Sequence, residues 1–80
     1  MKSITPATCR AARGLIDLTQ KQLADAAGVG LSTIKAFEGG STTPIENNLK
    51  AIQAALVAAG VDFIPENGGG AGVRLRKPVA

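Results

Sequence analysis

Two short helical segments joined by a glycine-marked turn constrain this chain more than any other feature. The sequence predicts the first from about Gln20 to Ala27, the turn from Gly28 to Gly30, and the second from about Leu31 to Phe37. Thr19 can cap the first helix with its hydroxyl, and Gln22 three residues later completes a capping-box pattern. The glycine that opens the turn can take the left-handed conformation that ends a helix.

Apolar residues recur at helical spacing in both segments. Leu23, Ala24 and Ala27 give the first helix one apolar face, and Ile34 and Phe37 face the same core from the second. Such a pair is typical of a helix-turn-helix unit, whose second helix can enter the major groove of double-stranded DNA. The alternative interpretation is a packing unit of a small helical domain.

The same stretch carries a gapless set of motif residues. They are Thr19, Gln20, Leu23, Ala24, Gly28, Ser32, Thr33, Ile34, Phe37, Glu38 and Gly40. On these residues the chain resembles the Cro/phage-repressor-like (Xre-type, Cro/C1-type) helix-turn-helix transcriptional regulators, over roughly residues 5 to 59. The resemblance implies a mainly α, lambda-repressor-like four-helix DNA-binding domain from a prokaryote or phage.

The resemblance also indicates which residues meet DNA. The residue matched by Gln20 contacts DNA in the family, and Lys21 flanks the same helix end, where free amides suit a phosphate. The exposed start of the second helix should meet base edges through Leu31, Ser32 and Lys35. Leu31 also lies on the apolar stripe of that helix, so the sequence leaves its exposure open.

Two further roles follow from the family pattern. The loop after the second helix lies where the family clamps the DNA backbone, and Ser41, Thr42 and Thr43 can donate to phosphate. Arg13 sits where the family carries an arginine that pairs with the glutamate matched by Glu38. We expect this pair to be a structural ion pair rather than a functional site.

Three positions depart from the family pattern. Gly30 stands at the helix cap where relatives often have serine or threonine, and it supplies no side-chain oxygen. Leu31 and Ala36 occupy places where relatives often carry arginine, glutamine or lysine. We therefore expect each copy of the chain to recognise its half-site with weak specificity. A homodimer, which binds two half-sites, or recognition of DNA shape would add to that specificity.

A helix is predicted on each side of this unit. Thr5 and Pro6 open the earlier one, and Asp17 ends it. Its inward residues are Cys9, Ala12 and Ile16. The later one is predicted to start at Thr43-Pro44-Ile45-Glu46 and to end before Gly60. Its inward residues are Leu49, Ile52, Leu56 and Ala59.

The last 20 residues differ in character. Residues 61–64 and 73–76 alternate as strands do, around a glycine-rich link. We predict a β-hairpin, or two strands that pair elsewhere, lying on the helical core or on a second copy. The division is a helix-turn-helix domain at 1–60 and a strand extension with a basic end at 61–80. A dimer is expected to bury Phe63, Ile64, Val73 and Leu75, while Arg74, Arg76 and Lys77 form a solvated face or a phosphate-binding arm.

Composition narrows the remaining functions. The net charge of +3 is compatible with a polyanion partner and with ordinary solubility. One cysteine and no histidine argue against a zinc site, a disulfide frame and a catalytic nucleophile–base set, so we expect no metal, no cofactor and no enzyme. Cys9 is expected to be a small core residue. The glycines of residues 68–72 match no nucleotide-binding pattern.

The sequence shows no signal peptide and no apolar run long enough to span a bilayer, so the expected compartment is the cytoplasm. Two other functions stay open beside DNA-binding regulation. One is an antitoxin-like module that uses residues 61–76 to add a strand to a protein partner. The other is a small adapter that kept the fold without groove contacts.

Overall fold

The computed structural model describes residues 4–65 and 68–76. These residues form four helices and two strands. They are α1 (Pro6–Ile16), α2 (Gln20–Ala27), α3 (Leu31–Glu38), α4 (Glu46–Ala58), β1 (Val61–Ile64) and β2 (Gly72–Leu75). This confirms the predicted mainly α fold with a C-terminal hairpin. None of the helices in these residues is both long and apolar enough to cross a membrane.

Capping boxes start the first two helices. The Thr19 hydroxyl accepts from the Gln22 amide at 3.0 Å, and the Gln22 side chain accepts from the Thr19 amide at 2.9 Å. Thr5, just before Pro6, and Thr8, in the first turn, make the same reciprocal pair at the start of α1. Each box satisfies two amides that would otherwise lack a partner, so α1 and α2 begin where the sequence predicts.

Left-handed residues end the same two helices. Asp17 has φ 54° and Gly28 has φ 71°. After each of them the chain folds back: the Leu18 amide donates to the Arg13 carbonyl, and the Val29 amide to the Ala24 carbonyl, both at 3.0 Å. These bonds satisfy carbonyls of the last turn and confirm the predicted helix ends.

Helix α4 differs from the prediction at both ends. It begins at Glu46 with Ile45 as its cap residue and no side-chain cap, so Thr43 and Pro44 lie outside it. A proline fixes φ near the value for helix and extended backbone alike, and it keeps the preceding residue extended, so a Thr-Pro pair does not require a helix start. Ala59 is the exposed residue just past the last turn, which corrects its predicted inward position.

The two strands pair as an antiparallel hairpin within one chain. Val61 lies opposite Leu75, and Phe63 lies opposite Val73. Residues opposite each other in such a pair share one face of the sheet. The second strand runs from residue 72 to 75, one residue earlier than predicted, and the hairpin packs on α1 and α4.

The core draws on every helix and on β1. Its buried apolar residues are Ile4, Cys9, Ala12, Leu23, Ala24, Ile34, Phe37, Leu49, Ile52, Leu56 and Val61. The large residues predicted to face inward, Leu23, Ile34, Phe37, Leu49, Ile52 and Leu56, are all among them, and Cys9 lies in the core as expected. The predicted inward residues Ile16 and Ala27 are half-buried at its edge.

Candidate nucleic-acid interface

A buried carboxylate at the end of α3 organises the helix-turn-helix unit. Glu38 is 3% exposed, and Arg13 of α1 binds it with two parallel hydrogen bonds. Arg13 Nε lies 2.7 Å from Glu38 Oε2, and Arg13 Nη2 lies 2.6 Å from Oε1. The expected pairing of these two residues is therefore present, with the bidentate geometry that makes an arginine–carboxylate pair strong.

Two further donors complete this carboxylate. Gln20 Nε2 at the start of α2 donates to Oε1 at 3.0 Å, and Cys9 Sγ on α1 donates to Oε2 at 3.1 Å. Arg13 also donates through Nη1 to the Leu18 carbonyl in the α1–α2 turn, at 3.0 Å. The four side chains of Cys9, Arg13, Gln20 and Glu38, here called the Glu38 network, thus tie α1, α2 and α3 together.

The network keeps Glu38 charged. Burial raises the pKa of this carboxyl, but hydrogen bonds from Arg13, Gln20 and Cys9 and the attraction of Arg13 outweigh it, so the pKa lies below its usual value. The pKa of Arg13 is raised by its bond to Glu38. Burial and the neighbouring carboxylate raise the pKa of the Cys9 thiol, which therefore stays protonated as a donor. Arg13 and Glu38 therefore form an ion pair with no net charge.

The start of α3 presents a small, mostly uncharged surface. Ser32 and Lys35 are exposed, as base reading would require. Leu31 is half-buried and packs against the core, so only part of its side chain is free for an apolar contact. Gly30 caps the helix without a side-chain hydrogen bond, and Ala36 is half-buried.

The predicted phosphate-facing residues near α2 are already engaged. The Gln20 amide donates to Glu38, which fixes the orientation of its side chain. Lys21 is exposed and pairs with Asp25 one turn along α2, with Nζ 2.8 Å from Oδ1. Such an exposed pair contributes less than about 1 kcal/mol, so Lys21 stays available to a stronger anion.

The loop after α3 is open to solvent. Gly40 has φ 78°, and the Ser41 amide donates back to the Ala36 carbonyl at 3.0 Å, which ends α3 with a tight reversal. The Ser41 hydroxyl donates to the same carbonyl at 3.1 Å, while Thr42 and Thr43 are exposed. The hydroxyls of Thr42 and Thr43 therefore face solvent and make no hydrogen bond within the described residues.

The predicted arginine arm lies on the hairpin. Arg74 and Arg76 both approach Asp62, at 3.9 Å and 3.3 Å, and Arg76 also donates to the Val57 carbonyl at 2.6 Å. The two arginines thus form an exposed, partly neutralised strand face. Lys77, the third member of the predicted arm, lies outside the described residues.

The network partners Cys9 and Gln20 could not be found from the sequence. They stand 29 and 18 residues away from Glu38, so no helical or strand spacing connects them to it. The helix caps and apolar faces could be predicted from neighbouring residues, whereas the bonds of Cys9 and Gln20 to Glu38 depend on how three helices pack. Among the described residues, no cluster of acids and cysteine could hold a metal ion.

Comparison with known proteins agrees with this geometry. A family model described as helix-turn-helix matches residues 10–56, which is more than half of the chain and spans α2 and α3 completely. The match begins within α1 and ends within α4, so it includes Arg13, Gln20 and Glu38 of the network, while Cys9 lies just before it. No curated protein matches the chain.

Proposed function

Because the chain belongs to the Cro/C1-type, Xre-like helix-turn-helix family of DNA-binding regulators, we propose that it binds double-stranded DNA sequence-specifically with α3 in the major groove. The observation that carries the proposal is the Glu38 network. It fixes the end of α3 against α1 and the start of α2, so the exposed side of α3 is held as one rigid reading surface.

Base reading falls to the exposed residues of α3. Lys35 can donate to O6 and N7 of guanine, and Ser32 can bond several bases. Leu31 offers only its uncovered part, which suits an apolar contact such as a thymine methyl group. With one charged reader, much of the affinity must come from phosphate contacts and from DNA shape.

Phosphate contacts are proposed at two places. The first turn of α2 supplies free backbone amides and a positive dipole end beside Gln20 and Lys21. The loop after α3 supplies the hydroxyls of Ser41, Thr42 and Thr43. Gln20 would act with its orientation set by Glu38, which links the phosphate-binding end of α2 to the end of the reading helix.

A homodimer is proposed to align two copies of α3. Two recognition helices bind successive half-sites when they lie about 34 Å apart, one turn of DNA. Phe63 and Val73 already pack against their own core, whereas Ile64 and Leu75 are 37% and 52% exposed on the hairpin. Leu75 lies opposite Val61 and so shares the face of Phe63 and Val73, whereas Ile64 lies opposite Gly72 on the other face. The dimer surface we propose therefore depends on Leu75 more than on the other three residues named from the sequence.

A second candidate function is a protein-interaction module. The sheet has only two strands, so each has one edge without a sheet partner in the described residues. An extended segment of another protein could add to such an edge, as an antitoxin-like partner would. A chain that acts this way need not dimerise unaided, so its mass in solution, alone and with duplex DNA, separates the two candidates.

Selection of binding sites from a random duplex library tests the leading proposal. At about 100 mM salt, sequence-independent phosphate binding is already weakened, so enrichment reports base reading. We expect an inverted repeat with fixed half-site spacing. If duplexes were retained without any enriched sequence, the binding would be non-specific, which would contradict the proposal. If the affinity for any duplex did not change with salt, the chain would be the adapter that kept the fold without groove contacts.

A further inference from the structure

Arg10 on α1 contacts the C-terminal end of α3. Its side chain is exposed, and its Nη1 donates to the main-chain carbonyl of Glu38. That carbonyl belongs to the last residue of α3 and has no partner within the helix. Arg10 therefore stands at the peptide bond where α3 passes into the loop of residues 39–43.

Arg10 makes one side-chain hydrogen bond within the described residues. A guanidinium has five N–H donors, and one of them is assigned to the Glu38 carbonyl. Within residues 4–65 and 68–76, no carboxylate lies in ion-pair distance of Arg10. Lys21, by contrast, faces Asp25, and Arg74 faces Asp62.

The position calls for a cation if DNA approaches this loop. The C-terminal end of a helix carries roughly −0.5 elementary charge, so the last carbonyls of α3 would repel a phosphate beside them. Ser41 satisfies the Ala36 carbonyl but brings no charge. Arg10 satisfies the Glu38 carbonyl and brings a full positive charge to the same end.

We propose that Arg10 binds a DNA backbone phosphate beside residues 39–43, with one N–H anchored on the Glu38 carbonyl and the remaining donors turned to the phosphate. The inference rests on the proposed DNA binding and adds α1 to the elements that contact the duplex. Because the hydrogen bond to the Glu38 carbonyl already restricts the Arg10 side chain, less conformational entropy is lost when it binds a phosphate. The same bond places the phosphate contact beside the end of α3.

The test compares three variants on a random-sequence duplex of roughly 30 base pairs, because phosphate contacts do not depend on sequence. Arg10→Gln keeps an amide donor for the Glu38 carbonyl but removes the charge. Arg10→Lys keeps the charge. Lys50→Gln also removes one positive charge, from an exposed residue of α4, and serves as the control.

We expect Arg10→Gln to bind about tenfold more weakly, as loss of one charged hydrogen bond implies. Its plot of log K against log salt should be shallower by about 0.9 for each bound protomer. Arg10→Lys should retain the wild-type slope, and Lys50→Gln should leave slope and affinity unchanged. Thermal unfolding measured in parallel reports any loss of helix capping, which by itself does not alter the salt slope.

Three results would overturn the inference. An unchanged slope in Arg10→Gln would show that Arg10 only caps α3, even if the melting temperature fell. An equal change in Lys50→Gln would show a general charge effect instead of a local contact. A wild-type protein that binds no duplex would overturn the proposed function and this inference with it, whereas wild-type binding with an unchanged Arg10→Gln slope overturns the inference alone.

Discussion

Glu38 is a charged side chain that the fold buries and fully supplies with donors. Its two oxygens accept from Arg13, Gln20 and Cys9, and its residue is 3% exposed. A buried ion pair adds little net stability over an apolar pair, but removing one partner strands the other charge. We therefore expect Glu38 to fix how α1, α2 and α3 are arranged, rather than to make the protein more stable than an apolar residue would.

Glu38→Ala is expected to lower the free energy of unfolding by about 3–5 kcal/mol, because it leaves the Arg13 guanidinium, 20% exposed, without its carboxylate. Urea titration followed by circular dichroism measures the change. Asp25→Ala, which breaks only an exposed pair, is the control and should cost less than about 1 kcal/mol. Equal stability of Glu38→Ala and wild type would show that the pair does not hold the fold.

The pH dependence of stability follows from the lowered pKa of Glu38. Its stabilising contribution is complete above about pH 4.3, the ordinary value in an unfolded chain, and is lost as pH falls from there through the folded-state pKa. The difference in unfolding free energy between wild type and Glu38→Gln should therefore shrink as pH falls below about 4. A difference that is constant between pH 7 and pH 3 would contradict the assignment.

At the scale of elements, local sequence signals determine where some helices begin and end, and tertiary packing determines the rest. The bounds of α1, α2 and the turn could be predicted because capping residues and left-handed positions act within a few residues of themselves. The start of α4 could not, because Thr43-Pro44 suits extended backbone as well as a helix. The hydrogen bonds of Arg10 and Gln20 to Glu38 depend on helix packing, which no local pattern contains.

Of the two helices of the helix-turn-helix unit, α2 starts with a side-chain cap and α3 starts without one. Gly30 has φ −71° and ψ 149°, the extended conformation that a serine cap adopts. A Cβ there would lie 3.7 Å from Ser32 Oγ, an ordinary contact. Gly30→Ser should therefore raise the free energy of unfolding by about 0.5 kcal/mol, through a new cap and a less flexible unfolded chain.

Gly28→Ser is the matched control for that prediction, since it makes the same chemical change two residues earlier. Gly28 has φ 71°, where a Cβ costs about 1 kcal/mol or more. The two variants should thus shift the melting temperature in opposite directions. A destabilised Gly30→Ser would mean that the cap conformation is not the one described.

At the scale of the whole molecule, the four helices and the hairpin share one core, to which the hairpin contributes Val61. The hairpin packs on α1 and α4 and leaves Ile64 and Leu75 partly exposed. Its arginines Arg74 and Arg76 lie beside Asp62, which partly neutralises their charge. The net charge of +3 is modest for a DNA-binding protein, so affinity depends on where the cations lie.

Leu75→Ser should shift the proposed homodimer toward the monomer, because it removes the most exposed large apolar side chain of the described part of the hairpin. Analytical ultracentrifugation over a concentration series measures the equilibrium. Leu15→Ser changes a 40% exposed leucine on α1 in the same way and should leave it unchanged. Equal masses for Leu75→Ser and wild type at every concentration would place the interface elsewhere.

The central claim is that α3 reads base edges, and binding-site selection with wild type and Lys35→Gln in parallel tests it most directly. The account predicts that the variant loses the base preference at one position of each half-site and keeps the repeat and its spacing, because one reader has lost its charge. Identical enriched sequences for both proteins would contradict the claim, since the exposed lysine of α3 would then contribute nothing to recognition.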